Sequence, residues 1–232
     1  MDGRKSLGSE HQRADILVAL LVLGSLWGLS EVVLNGAIRA AGLPFRAGIL
    51  AGVGMFLMGI ALGIFKKPLL LIGVGVIAVF CKQLVVPVVG ASVLCKANAC
   101  IALLFQSSAL LGVATLMGQR IQSGRIPRVV TGFSAALVAS PVFYFVGMRV
   151  APCNYLLSFN RPDGLMAFMV AEGLVWAAFS AVLFPVGWRL GSRLECAIPQ
   201  VRSLKPALYY GASLGVVFCA WVVSGLAYAA GF

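Results

Sequence analysis

The chain has 232 residues, is 61% hydrophobic and only 11% charged, and carries a net charge of +11. Soluble domains carry about 25% charged residues, so this composition excludes a water-facing globule; the uncharged stretches 47–65 and 129–148 are long enough to cross a bilayer. The basic residues fall between apolar runs rather than in a patch interleaved with aromatics, which excludes a nucleic-acid surface and fits charged loops on one side of a membrane.

In chain order, residues 1–15 read as a polar cytoplasmic tail bearing Arg4, Lys5 and Arg13. An apolar run follows, but no A-x-A cleavage site ends it, so 16–38 is expected to be a retained first helix rather than a signal peptide. Further spans are expected at 47–65, 69–87, 97–118, 129–150 and 165–188, giving a six-helix core over 16–188. A basic cytoplasmic loop is expected at 189–206, and an additional transmembrane helix within 207–232. Pro44, Pro68, Pro127, Pro152, Pro162, Pro199 and Pro206 fall between spans or at first helical positions, Pro87 marks the end of the third span, and Pro141 and Pro185 predict kinks within the fifth and sixth. The fold class is therefore an all-α membrane protein, a compact bundle of six transmembrane helices with a seventh at the C-terminus.

Counting Lys and Arg by side places twelve with the N-terminus and five opposite, with Lys82 inside a span. The positive-inside rule then puts the N-terminus in the cytoplasm and the C-terminus outside. Small residues four apart, Gly24/Gly28, Gly48/Gly52, Gly59/Gly63 and Gly211/Gly215, allow close helix approach, within the chain or against a partner. Cys95, Cys100 and Cys153 are placed at one membrane boundary, which leaves a disulfide or a metal pair open without a second ligand motif to support either.

Three ionisable residues fall inside spans: Glu31, Lys82 and Glu172. Each lies roughly 8 to 10 Å from the outer end of its helix at 1.5 Å per residue. Charge in hydrocarbon is costly and defaults to a cavity or a partner. Asn35 shares a helix face with Glu31, Gln83 adjoins Lys82, and Gln106 and Tyr144 reach a similar depth. Trp27 and Trp176 each stand four residues from a buried glutamate, where an aromatic wall beside a carboxylate suits a cationic or ring-shaped ligand. Two readings stand: these residues line a substrate cavity, or the charges form a salt-bridge knot that only ties helices together. With two carboxylates against one ammonium, a glutamate is protonated or a cation is bound. No H-E-x-x-H, G-x-S-x-G or P-loop is present, so neither an enzyme, a metal centre nor a bound cofactor is expected.

The stretch LWGLSEVVLNGAIRAAGLPFRAGIL, residues 26–50, resembles substrate-binding S-components of energy-coupling-factor (ECF) micronutrient transporters. The resemblance rests on Trp27, Gly28 and Glu31 in a W-G-x-x-E helix, on Leu43, Pro44 and Phe45 in the following turn, and on Lys82 in the third helix; it covers about the first 120 residues. It implies a bacterial inner-membrane protein that captures a small, vitamin-like molecule in an outward-facing pocket gated by the first loop. It also implies a small-residue face on the first helix, here Gly24 and Gly28, that meets a transmembrane coupling protein carrying cytoplasmic ATPases. The family favours alanines on that face, and the seventh span is a departure from it. Beside this stand a self-sufficient proton- or cation-coupled carrier with Glu31 and Glu172 as its titrating pair, and a non-transporting assembly subunit.

Overall fold

The computed structural model of the chain describes residues 3–83, 86 and 97–230, with side chains from residue 13 onward. The expected end of the third span at Pro87, and Cys95, lie outside the described residues. Among the described residues seven long helices occur: α1 (Gly3–Ala40), α2 (Arg46–Phe65), α3 (Leu70–Gln83), α4 (Ala97–Met117), α5 (Arg125–Val150), α6 (Gly164–Leu204) and α7 (Pro206–Ala229). One-turn helices, Arg120–Ser123 and Asn154–Leu157, sit in the α4–α5 and α5–α6 connections. No strand occurs among the described residues. All these helices but α3 are long and apolar enough to span a bilayer, and the 14 described residues of α3 are apolar too. The protein is an all-α, multi-pass membrane bundle.

Helix ends follow local backbone chemistry. After α1 the chain turns through Gly42 at φ 63°, and Phe45 enters α2 with φ 61°. Lys66 ends α2 in the left-handed region, and its N–H bonds the Leu62 carbonyl at 3.0 Å. Gly118 does the same after α4 at φ 49°, bonding Ala114.

Two expected boundaries change. The 189–206 segment is not a loop: α6 runs unbroken to Leu204. A single proline such as Pro199 removes one intrahelical bond without ending a helix that extends into water, where the freed carbonyl is hydrated. The break comes at Lys205 (φ −142°, ψ 70°) because the residue before Pro206 is pushed out of the α region. At 41 residues α6 is about 60 Å long, roughly twice the hydrocarbon thickness. The N-terminal tail is likewise helical, from Gly3. Asp15 on α1 pairs with Arg202 near the end of α6, tying the two extensions together. Both α5 and α6 continue as helix through Pro141 and Pro185.

Neighbour packing runs α2–α1–α3–α4–α5–α6 and back to α2, a closed ring of six, with α7 laid on the outside of α1. The α2–α6 contact is the longest, and glycine makes it. A Cβ on Gly59 would stand 2.6 Å from the Phe184 carbonyl, one on Gly63 2.5 Å from that of Trp188, and Gly187 and Gly191 press on the Phe56 and Ile60 carbonyls in return. Lipid tails are as apolar as the side chains, so van der Waals contact between closely approaching backbones has to hold the helices. By contrast Gly211 and Gly215 on α7 have nothing within 4 Å.

Gly187→Ala is therefore expected to lower the thermal midpoint of the detergent-purified protein, at a cost of about 1–3 kcal/mol from overpacking. Gly215→Ala should leave it unchanged or raise it. Equal behaviour of the two variants in a melting assay would contradict the close α2–α6 contact.

Candidate functional site

The buried charges are positioned by small residues. Gly24 and Gly28 on α1 face α3: a Cβ on Gly24 would lie 2.6 Å from Ile77 Cβ, and one on Gly28 2.5 Å from Cys81 Cβ. This corrects their expected role as a face for a partner helix, since α3 already fills it. The close approach brings Glu31, one turn beyond Gly28, against Lys82, next to Cys81. Lys82 Nζ donates to Glu31 Oε2 at 2.9 Å, with side-chain exposures of 4% and 10%. In a low-dielectric interior such a pair is tolerable only because each charge answers the other.

Glu172 does not join that pair. It lies in a π-helical turn, Met169–Gly173, inside α6. Phe168, Glu172 and Trp176, spaced four apart through and beyond this turn, all line one cavity. Glu172 Oε1 accepts a hydrogen bond from the Tyr155 hydroxyl, while Oε2 is buried without a protein partner. The Arg46 guanidinium lies within electrostatic reach of the carboxylate. Burial, then the bond and charge of Glu172, push the Tyr155 phenol well above its ordinary range, so it stays protonated and donates.

The cavity has a volume of about 560 Å³ and lies at the end of the bundle that carries the α1–α2 turn. Glu31, Asn35, Lys82, Gln106, Glu172 and Trp176 all line it. Gln106 Nε2 also reaches across to the Ala51 carbonyl of α2 at 2.5 Å. Three expected members do not line it. Trp27 is fully buried beneath Gly54 of α2, where a Cβ would be 2.5 Å from its ring, so α2 covers it one turn before Glu31. Gln83 is turned toward Cys100, donating to its Sγ at 3.2 Å. Tyr144 donates to the Phe159 carbonyl at 3.0 Å and packs against Phe168, the two rings tilted by 36° with centroids 5.3 Å apart. Cys100 and Cys153 are free thiols, and no cluster of metal-ligating side chains occurs among the described residues.

Sequence reasoning missed Arg39, Arg46, Asn98 and Tyr155, which also line the cavity. The two arginines flank the α1–α2 turn; the sequence marks them as loop charge and as the bounds of the gating loop that the resemblance implies, not as cavity lining. They change the electrostatics: Arg39, Arg46 and Lys82 face Glu31 and Glu172, so the lining carries three cations against two carboxylates rather than a surplus of negative charge. Polar atoms without a protein partner cluster there as well: Asn35 Oδ1, Asn98 Oδ1, Glu172 Oε2 and Trp176 Nε1. Buried polar groups are nearly always bonded, so four orphans around one cavity leave hydrogen-bonding capacity there that no protein group satisfies. Its apolar wall is aromatic, with Phe143 and Trp176 centroids 5.6 Å apart.

Removing one member of the buried pair strands the other. Lys82→Met is expected to destabilise the folded protein by about 3–5 kcal/mol, and the double variant Glu31→Gln/Lys82→Met to regain most of that loss. Additive losses in the two single variants, measured by denaturant or thermal unfolding in detergent, would show that the pair does not form.

No family model matches the chain, and neither do any curated protein or solved structure.

Proposed function

We propose that this chain is the substrate-binding membrane component for uptake of a small, vitamin-like micronutrient, cationic or zwitterionic, through a pocket open to the outside of the cell. The observation that supports this reading is the convergence of five charged side chains, four orphaned polar atoms and an aromatic wall on one cavity at one end of a spanning bundle. Its volume falls within the roughly 300–1,000 Å³ of small-molecule sites. Glu172 and Trp176 would bind a cationic or ring-bearing part, and Arg39 and Arg46 a carboxylate or phosphate; Lys82, already neutralised by Glu31, would act as a hydrogen-bond donor at the cavity wall. The resemblance in the first helices supports the same reading and adds a coupling protein with ATPases as the source of energy.

One observation favours a second reading, a self-sufficient carrier. The small-residue face of α1 is packed against α3, and α7 covers another side of α1. Trp221 on α7 donates to Ser25 on α1 at 2.8 Å, and Ser224 lies 3.9 Å from the Cys81 sulfur of α3. A coupling protein would need another surface, whereas a carrier that titrates Glu31 and Glu172 needs none. Uptake into liposomes driven by a pH gradient, with no ATPase present, would favour this reading over the first.

The binding claim is tested by thermal shift of the purified chain against a panel of water-soluble vitamins, their precursors and amino acids. A compound that stabilises the wild type should bind Glu172→Gln about tenfold or more weakly, the loss expected for one hydrogen bond to a charged group. Undiminished binding by both Glu172→Gln and the Glu31→Gln/Lys82→Met pair variant would place the site elsewhere.

A further inference from the structure

We propose that the groove between α4 and α5 holds an acyl chain of an anionic phospholipid whose headgroup rests on the basic end of the bundle. This inference is independent of the cavity. The groove has a volume of about 220 Å³ and is lined by Phe105, Ser108 and Ala109 on α4 and by Val138, Ala139 and Val142 on α5. Gly112, one turn beyond Ser108 toward the end of α4, has nothing within 4 Å of where a Cβ would stand. At that position no protein atom closes the α4 surface between the groove and the α4–α5 connection.

That connection is strongly basic. Arg120 lies on its one-turn helix, Arg125 and Arg128 open α5, and Arg189 on α6 is close enough to Arg128 to interact with it. Arg128 holds the cluster together: it donates to the Ile121 and Gln122 carbonyls at 2.9 and 3.0 Å, and its guanidinium sits 5.2 Å from the Trp188 ring centroid. Lys66 lies at the same distance over that ring and pairs with Glu195, which takes that carboxylate away from the arginines. Arg120, Arg125 and Arg189 are exposed. Like charges gathered at one membrane boundary repel one another unless an anion lies among them.

Dimensions join the two features. Val138 stands thirteen residues from Arg125 along α5, about 20 Å, and one leaflet, headgroup region included, is about half of 40–45 Å deep. A phosphate at Arg125 and Arg189 thus places its acyl chain at the depth of the groove. A free phosphate would satisfy the arginines but would leave the groove unfilled, so the occupant is the lipid.

Native mass spectrometry of the detergent-purified chain tests this, titrating phosphatidylglycerol, phosphatidylcholine and the soluble headgroup glycerophosphoglycerol. Phosphatidylglycerol should bind at least tenfold more tightly than phosphatidylcholine, and far more tightly than the soluble headgroup. Arg125→Gln/Arg189→Gln should erase most of that preference, at roughly fivefold per basic residue. Gly112→Leu, which fills open space and should not lower the melting temperature, should weaken both phospholipids alike. Equal affinity for the two lipids, binding of the soluble headgroup as tight as that of the lipid, or unaltered lipid binding by either variant would overturn the proposal.

Discussion

A lysine ammonium and a glutamate carboxylate 2.9 Å apart, sealed between two helices, set the constraint around which this bundle is arranged. Neither ion can face hydrocarbon, and neither can be buried alone. For them to meet, the backbones of α1 and α3 must approach closely, which Gly24 and Gly28 permit. Once they meet, the end of α3 and the last turns of α1 are fixed side by side, and the space beside them becomes a wall of the cavity. The same device, glycine against carbonyl, seats α2 on α6 and so brings the opposite wall, Phe168, Glu172 and Trp176, to face the pair.

The cavity that results is electrically divided. Its Glu31–Lys82 wall is a neutral pair, while Glu172 keeps one oxygen bonded to Tyr155 and the other unsatisfied. Arg39 and Arg46 stand where α1 and α2 meet the turn. Under the proposed function, such a division would receive a molecule with charge of both signs and a flat apolar body between them. The expected meeting of all three buried ions does not occur: Glu31 and Lys82 tie α1 to α3, while Glu172 bonds Tyr155 and shares with them only the lining of the cavity.

Much of the architecture is legible in the sequence, because a bilayer leaves few choices: an apolar run of about twenty residues must be a helix that closes its own backbone hydrogen bonds. Depth is legible for the same reason, since rise per residue is fixed, and the grouping of Glu31, Lys82 and Glu172 at one level follows from it. Direction around each helix is not. Trp27 and Trp176 stand at the same spacing from a glutamate, yet one is buried under Gly54 and the other lines the cavity. The difference lies in which neighbour each face meets, and the periodicity of a single helix does not encode that. The π turn at Met169–Gly173 is equally hidden, as no residue pattern in the stretch marks it. Arg39 and Arg46 were visible as topological charge and as the bounds of the implied gating loop, not as cavity lining, and the helical continuation to Leu204 was masked by a proline that water allows a projecting helix to absorb.

The central claim is that Glu31 and Lys82 form one interacting unit, and exchanging them tests it most directly. The swapped variant Glu31→Lys/Lys82→Glu, compared with each single substitution by thermal unfolding in the same detergent, should recover the greater part of the stability that either single change loses. A swapped protein no more stable than the worse single variant would mean that the two side chains do not meet, and the cavity they wall would lose its foundation.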